Sequence, residues 1–134
     1  LDANATVLKA EFEDFLEATG TPAVMVSRDG NVPPNVAERL ANVWLSWQFL
    51  PDWSVARGVR YVGKRYADNA HTLQLPGYTT TDPALTWQAA PRTRVTARVF
   101  NVFDKAYYAT AYYTSTQWLL GADRRVEFTF DHRF

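Results

Sequence analysis

The residues best suited to chemistry in this chain are aromatic. Between Asp104 and Asp123 stand Tyr107, Tyr108, Tyr112, Tyr113, Gln117 and Trp118. Such a set can stack on flat ligand groups and donate phenolic hydrogen bonds to them. Tyr and Trp in pairs serve equally as interfacial anchors or loop packing, and both readings stay open. A second group is cationic: Arg60, Arg98 and Arg125 fall on the polar phase of alternating segments. There they either face an anionic group or pair with Asp82, Glu127 or Asp131 on neighbouring strands. His71 and His132 are the only histidines, and they fall on a loop and on an apolar-phase strand position, so they make no metal site. The sequence has no recognisable Ser, His, Asp set, Gly-rich phosphate loop or zinc spacing. Glu11, Glu13 and Asp14 read as a solvated rim rather than a cation site. Neither a catalytic residue nor a bound metal is expected.

Composition narrows the setting. Basic and acidic residues balance at 14 each with no run of like charge, which argues against nucleic acid or an acidic membrane surface as the main partner. Cysteine is absent, which removes disulfides, thiolate metal sites and a cysteine nucleophile. Aromatic residues make up 15% of the 134, with five Trp, seven Tyr and eight Phe, yet the mean hydropathy is negative. Extensive apolar and polar surfaces must therefore coexist. No stretch approaches the ~18 apolar residues of a membrane helix, so any membrane contact is made by strands. Leu1 opens directly into patterned sequence without a charged and then apolar leader, so an upstream portion is expected.

Six alternating segments must position these side chains. In the last, Val126, Phe128, Phe130, His132 and Phe134 alternate with Arg125, Glu127, Thr129, Asp131 and Arg133, the period of a strand between two solvents. The same alternation sets Val95, Ala97 and Val99 against Thr96, Arg98 and Phe100, and Leu85 and Trp87 against Ala84, Thr86 and Gln88. It sets Trp53, Val55, Val59 and Tyr61 against Ser54, Ala56, Gly58 and Arg60, and Val43, Leu45, Trp47 and Phe49 against Asn42, Trp44, Ser46 and Gln48. A first segment, from Leu1 to about Leu16, alternates through Val7 and then loses phase.

Tight connections at Leu50 to Asp52 and Ala89 to Arg92 alternate with long ones at Glu17 to Asn35, Ala67 to Pro76 and Asp104 to Asp123. An antiparallel sheet with short turns at one end and long loops at the other is expected. Trp47, Phe49, Trp53, Trp87 and Phe134 all lie near a short turn or the chain end, predicting an aromatic ring at one membrane level. The segments run to about ten residues or more, near the ~10 that cross a bilayer and above the ~6 of soluble strands. A soluble β-sandwich or lipocalin-like barrel produces the same alternation by packing one face on a core.

Four stretches carry a family resemblance. Asn101-Val102-Phe103-Asp104-Lys105-Ala106-Tyr107-Tyr108 resembles the Asn-Leu-Phe-Asp-Lys-x-Tyr segment of TonB-dependent receptors, at the top of their penultimate strand. Gly58 to Asp68, followed by Leu75-Pro76-Gly77-Tyr78-Thr79-Thr80, is similar to a strand, loop and strand of the siderophore branch. Gly30-Asn31-Val32-Pro33-Pro34-Asn35-Val36 resembles that group's entry into an earlier strand, and Arg125 to Phe134 resembles the terminal strand. The ordered set covers essentially the whole chain.

The resemblance implies an all-β fold: an antiparallel meander of about six long strands, residues 1–134, forming the C-terminal part of a transmembrane barrel of about 22 strands in the bacterial outer membrane. It implies TonB-dependent uptake of an iron(III) siderophore as transported ligand, with no cofactor, and a plug domain and TonB-contacting segment upstream. Tyr107, Tyr108, Tyr112, Tyr113 and Trp118 would then lie on an outer loop, and Arg60 and Arg98 on the inner wall. Val126, Phe128, Phe130 and Phe134 would form the signal read by the barrel assembly machinery, through an exposed edge that pairs with a template strand. A soluble ligand-binding β-domain and a TonB-dependent receptor for another nutrient are the alternatives. An outer-membrane enzyme would need a nucleophile or metal set. Six strands cannot close a barrel, which takes about eight, so the isolated section is expected to self-associate through its edges or apolar face.

Two positions depart from the pattern. Pro83 lacks an amide within the fourth segment, so a bulge or local break is expected there. Arg57 falls on the apolar phase, where a midplane arginine costs about 2–4 kcal/mol. Either it reaches towards the short-turn interface, or the register shifts before Gly58.

Overall fold

The computed structural model describes residues 2–112 and 117–134. In chain order the strands are β1 (Asp2–Val7), β2 (Leu16–Thr19), β3 (Val24–Ser27), β4 (Arg39–Leu50), β5 (Trp53–Val62), β6 (Arg65–Tyr66), β7 (Gln74–Leu75), β8 (Tyr78–Ala90), β9 (Thr93–Phe100), β10 (Tyr108–Tyr112), β11 (Gln117–Leu120) and β12 (Arg125–His132). Six of them form one antiparallel sheet in the order β1-β4-β5-β8-β9-β12. This is the meander the alternation predicts. The others pair as ribbons β2-β3, β6-β7 and β10-β11, one within each long connection, and no sequence signal had separated them from loop.

The two short turns are built alike. Trp47-Gln48 precedes the turn Pro51-Asp52, and Trp87-Gln88 precedes Pro91-Arg92. In each, the ladder shifts register just after the glutamine, between Gln48 and Leu50 and between Gln88 and Ala90. The glutamine amide then donates back into its turn: Gln48 Nε2 to the Pro51 carbonyl at 2.6 Å, and Gln88 Nε2 to the Ala90 carbonyl at 2.7 Å. Proline suits the first turn position because its φ is preset and its missing amide is not needed.

Register fixes the faces. Val43, Leu45 and Trp47 stand opposite Val59, Arg57 and Val55, and Val55 stands opposite Leu85, Leu85 opposite Ala97 and Ala97 opposite Phe128. This face is open: Trp47 is 66% exposed, Phe128 75% and Phe130 69%. A soluble sandwich would cover it with a second layer. At the short-turn end Trp53 is paired with Trp87, their rings stacked at 5.6 Å, and Trp47 and Phe49 lie 5.9 Å apart. Phe134 lies beyond β12, edge-on to His132 at 4.9 Å.

One of the two alternatives for Arg57 is removed, and two expectations need correction. The ladder between β4 and β5 runs without a shift from Val62 to Ser54, so Arg57 is not displaced by a slipped register and projects from the apolar face. Pro83 neither breaks β8 nor shifts it against β5, where it faces Arg57. The physical reason lies in its direction. Thr81 offers its carbonyl to the Val102 amide on the β9 side, and backbone groups two residues apart aim the same way. The amide that Pro83 lacks therefore points towards β9, and the β8–β9 ladder ends beside it at Ala84 and Arg98. Finally, β4, β5 and β8 have 12, 10 and 13 residues, whereas β9 and β12 have 8 and β1 has 6; the expected length of about ten holds only for the middle strands.

Buried apolar residues gather at the long-loop end. One cluster joins Ala37, Val62 and Tyr78 with Leu40 and Tyr107; the other joins Ala67, Leu75 and Ala111 with Leu73 and Tyr108. The core thus lies under the loops.

Candidate ligand site

Three long connections meet above these clusters and are tied together by side chains. Asn31 Nδ2 of the first donates to the Asn69 carbonyl of the second at 2.7 Å. Asn69 Nδ2 donates to Glu17 Oε1 at 2.8 Å, and Arg28 Nε donates to Glu17 Oε2 at 2.7 Å. The bond from Asn69, then that from Arg28, holds the Glu17 carboxyl below the usual glutamate range. His71 Nε2 lies 2.9 Å from the Val32 carbonyl, and its ring stacks on Tyr66 at 3.7 Å. Asn35 reaches both other connections: its amide donates to the Tyr66 carbonyl at 2.8 Å, its Nδ2 to the Ala111 carbonyl at 2.9 Å, and its Oδ1 accepts the Ala111 amide at 2.8 Å. Its φ of 62° is a left-handed value that asparagine tolerates. Together these connections form a cap.

Asn101 and Asp104 bond main-chain groups where β9 gives way to the loop. Asn101, at φ 49°, donates from its amide to Asp82 Oδ1 and from Nδ2 to the Lys105 and Ala122 carbonyls, while its Oδ1 accepts the Lys105 amide. Asp104 Oδ1 accepts the Arg124 amide at 2.9 Å. The tops of β9 and β12 are joined through these two side chains.

The aromatic candidates separate into two kinds. Tyr107 packs in the first cluster, stacked on Tyr78 at 4.1 Å, and a Cβ on Gly121 would come within 2.0 Å of its ring. It is half-buried and also lines a cavity of about 160 Å³ with Pro76, Gly77, Tyr78, Lys105, Ala106 and Tyr108. Tyr108 is half-buried and meets Trp118 edge-on at 4.7 Å. Tyr112 and Trp118, with Gln117 and Leu119, line a depression of about 340 Å³ on the β10-β11 ribbon. Tyr113 lies outside the described residues.

On the sheet's other face, Arg60 lines a groove of about 200 Å³ with Asn4, Asn42, Trp44, Gly58 and Asp82. The Trp44 ring covers Gly58, where a Cβ would come within 2.5 Å of it. Arg98 lies 5.5 Å over Trp44 and 5.6 Å over Phe100, and Arg125 lies 4.1 Å over Phe100. Among the described residues the ion pairs are Lys9–Glu11 and Glu17–Arg28, so the expected pairing of Arg60, Arg98 and Arg125 with Asp82, Glu127 and Asp131 is not made. Asp82 is engaged by Asn101. Glu127 faces Arg98 in register on an exposed edge strand, where an ion pair is worth ~0–1 kcal/mol and a partly desolvated cation–π contact competes. This face therefore carries Arg60, Arg98 and Arg125 against the rings of Trp44 and Phe100, with Asp82, Glu127 and Asp131 on the same face.

Val126, Phe128, Phe130 and Phe134 are all exposed, the first three on β12 with partners Val99, Ala97 and Val95. Sequence reasoning missed Glu17, Arg28, Asn35, Arg65 and Asn69. Arg65 and Asn35 stood within the quoted motifs, but their partners are main-chain groups of a distant loop, and no spacing records those.

Residues 3–102 match the family described as TonB dependent receptor-like, beta-barrel. A ferrioxamine receptor of Yersinia enterocolitica is 32% identical over 139 residues, covering 98% of this chain and 18% of that protein. The ferrichrome outer membrane transporter/phage receptor of Escherichia coli strain K12 is 31% identical over 114 residues, covering 78% of the chain and 15% of that protein. The crystal structure of the siderophore receptor PiuA from Acinetobacter baumannii superposes with a TM-score of 0.87 at 25% identity, over 97% of this chain and 19% of that one. The chain thus spans under a fifth of the length of these curated relatives.

Proposed function

The chain belongs to the TonB-dependent receptor β-barrel family of the bacterial outer membrane, and we propose that it forms the closing wall and three outer loops of a receptor that takes up ferric siderophores. The observation that carries this reading is the match along nearly the whole chain, cap included, to proteins named as a ferrioxamine receptor and a siderophore receptor. In this reading residues 1–134 are the last part of a barrel of about 22 strands, and the plug domain and TonB-contacting segment belong to other parts of the receptor. The cargo is an iron(III) siderophore, and no cofactor takes part.

The cap suits capture. Its β10-β11 ribbon offers Tyr112 and Trp118 to conjugated groups, and the wall below offers Arg60, Arg98 and Arg125 to anionic ones. The chain binds and moves its cargo without catalysing a reaction. Val126, Phe128, Phe130 and Phe134 present an apolar edge strand to the assembly machinery and afterwards to outer-membrane lipid. A section released from its barrel self-associates through the edges of β1 and β12.

Import of radioactive iron(III) as ferrioxamine, by cells whose own siderophore receptors are deleted, tests the reading. Saturable, TonB-dependent import is expected. A receptor that imports no ferric chelate but does import another nutrient refutes the siderophore assignment and leaves the barrel intact.

A further inference from the structure

Arg65 is only 6% exposed, yet none of the ion pairs among the described residues includes it. A buried guanidinium stays charged and is costly unless its surroundings supply negative density. Here that density comes from main-chain carbonyls. Nη1 donates to the Ala109 carbonyl and Nη2 to the Tyr108 carbonyl, both at 2.6 Å, and the group lies 5.7 Å over the Tyr78 ring. Its Nε is buried with no hydrogen-bond partner. Arg65 belongs to the second connection, whereas Tyr108 and Ala109 begin β10 in the third. Two residues further on, Asn35 of the first connection exchanges two hydrogen bonds with Ala111. The base of the β10-β11 ribbon is thus held by four side-chain bonds from Arg65 and Asn35.

We propose that Arg65 is a positioning residue for ligand capture: by forking onto two successive carbonyls of β10, it sets where the ribbon presents Tyr112, Trp118 and Leu119 to the ferric chelate. This rests on the receptor reading above. Guanidinium holds its N–H donors in a rigid planar fork that fixes two carbonyls relative to each other, whereas a rotating ammonium imposes no such geometry. Charge alone does not replace it. The ligand class it serves is a chelate with conjugated groups, recognised by the aromatic ribbon and not by Arg65 itself.

The test uses the whole receptor in lipid, with nitroxide labels at Val24→Cys on the first ribbon and Leu119→Cys on the third, both exposed sites. The parent gives a narrow distance distribution; Arg65→Met broadens it, and Arg65→Lys, keeping one bond, gives an intermediate width. For uptake of ferrioxamine-bound iron, KM rises about tenfold in Arg65→Met, equivalent to ~1.4 kcal/mol, with Vmax per receptor unchanged. A purely structural defect would instead lower total Vmax in step with the amount of folded receptor and leave KM unchanged. Should Arg65→Met fail to reach the membrane, Arg65→Lys carries both measurements. Unchanged distances overturn the proposal, as does broadening with unchanged KM. If the parent imports no ferrioxamine, the assignment of that cargo fails, and the distances alone decide the role of Arg65.

Discussion

The sheet and the cap place apolar side chains in opposite ways: Phe128 and Phe130 on the sheet are 75% and 69% exposed, whereas Leu75 beneath the cap is fully buried. The cap behaves as protein does in water, with a small apolar core and polar side chains that satisfy main-chain groups. The sheet does the reverse and needs an apolar solvent on one side. Its backbone bonds are made strand to strand, as a hydrocarbon layer demands. One chain therefore answers to two solvents, and the change occurs where β4, β5 and β8 pass into the loops.

Charging each region separates them most strongly. Leu45→Arg on the open face is expected to cost about 2–4 kcal/mol in bilayer unfolding experiments, while Met25→Arg on the cap costs less than ~0.5 kcal/mol. Equal costs would break the distinction. Next, Gly121→Ala forces the Tyr107 ring away from its place, at about 1–3 kcal/mol. Hydrogen exchange should quicken around Tyr78 and Tyr107 and stay unchanged at the short turns.

A smaller effect, of opposite sign, is expected at Arg57. Replacing it with Leu removes the one cation aligned with Leu45 and Pro83 and should stabilise the receptor by ~1 kcal/mol or more in the same assay. The smallest effect is that of pH. Because the Glu17 carboxyl is held below its ordinary range, its contribution is present above that range and is lost as pH falls through the lowered value. Acidification should loosen the first and second connections around Glu17, Arg28 and Asn69, as faster amide exchange relative to the sheet. Glu17→Gln should abolish that response.

The sheet was legible in the sequence because a strand between two solvents writes its period into residue type. Trp53 through Tyr61 show it. The short turns were legible for a similar reason, since tight connections with Pro carry local conformational preferences. The cap was not. Asn35 meets Ala111 across 76 positions, and Arg65 bonds carbonyls that every residue possesses, so neither partner leaves a mark in side-chain type. Tyr107 stayed open between two readings for a related reason: a tyrosine that packs beside Gly121 and one that meets a ligand are the same letter. Pro83 was read correctly as a missing donor, but only the three-dimensional ladder tells which neighbouring strand loses the bond.

The central claim is that one face of the sheet meets lipid while the other faces the interior, and a nitroxide scan of β5 from Trp53 to Val62 in the reconstituted receptor tests it most directly. Accessibility to oxygen, which concentrates in lipid, should peak at positions 53, 55, 57, 59 and 61 and fall at 54, 56, 58, 60 and 62. A profile without that alternation, or one of opposite phase, would contradict the account.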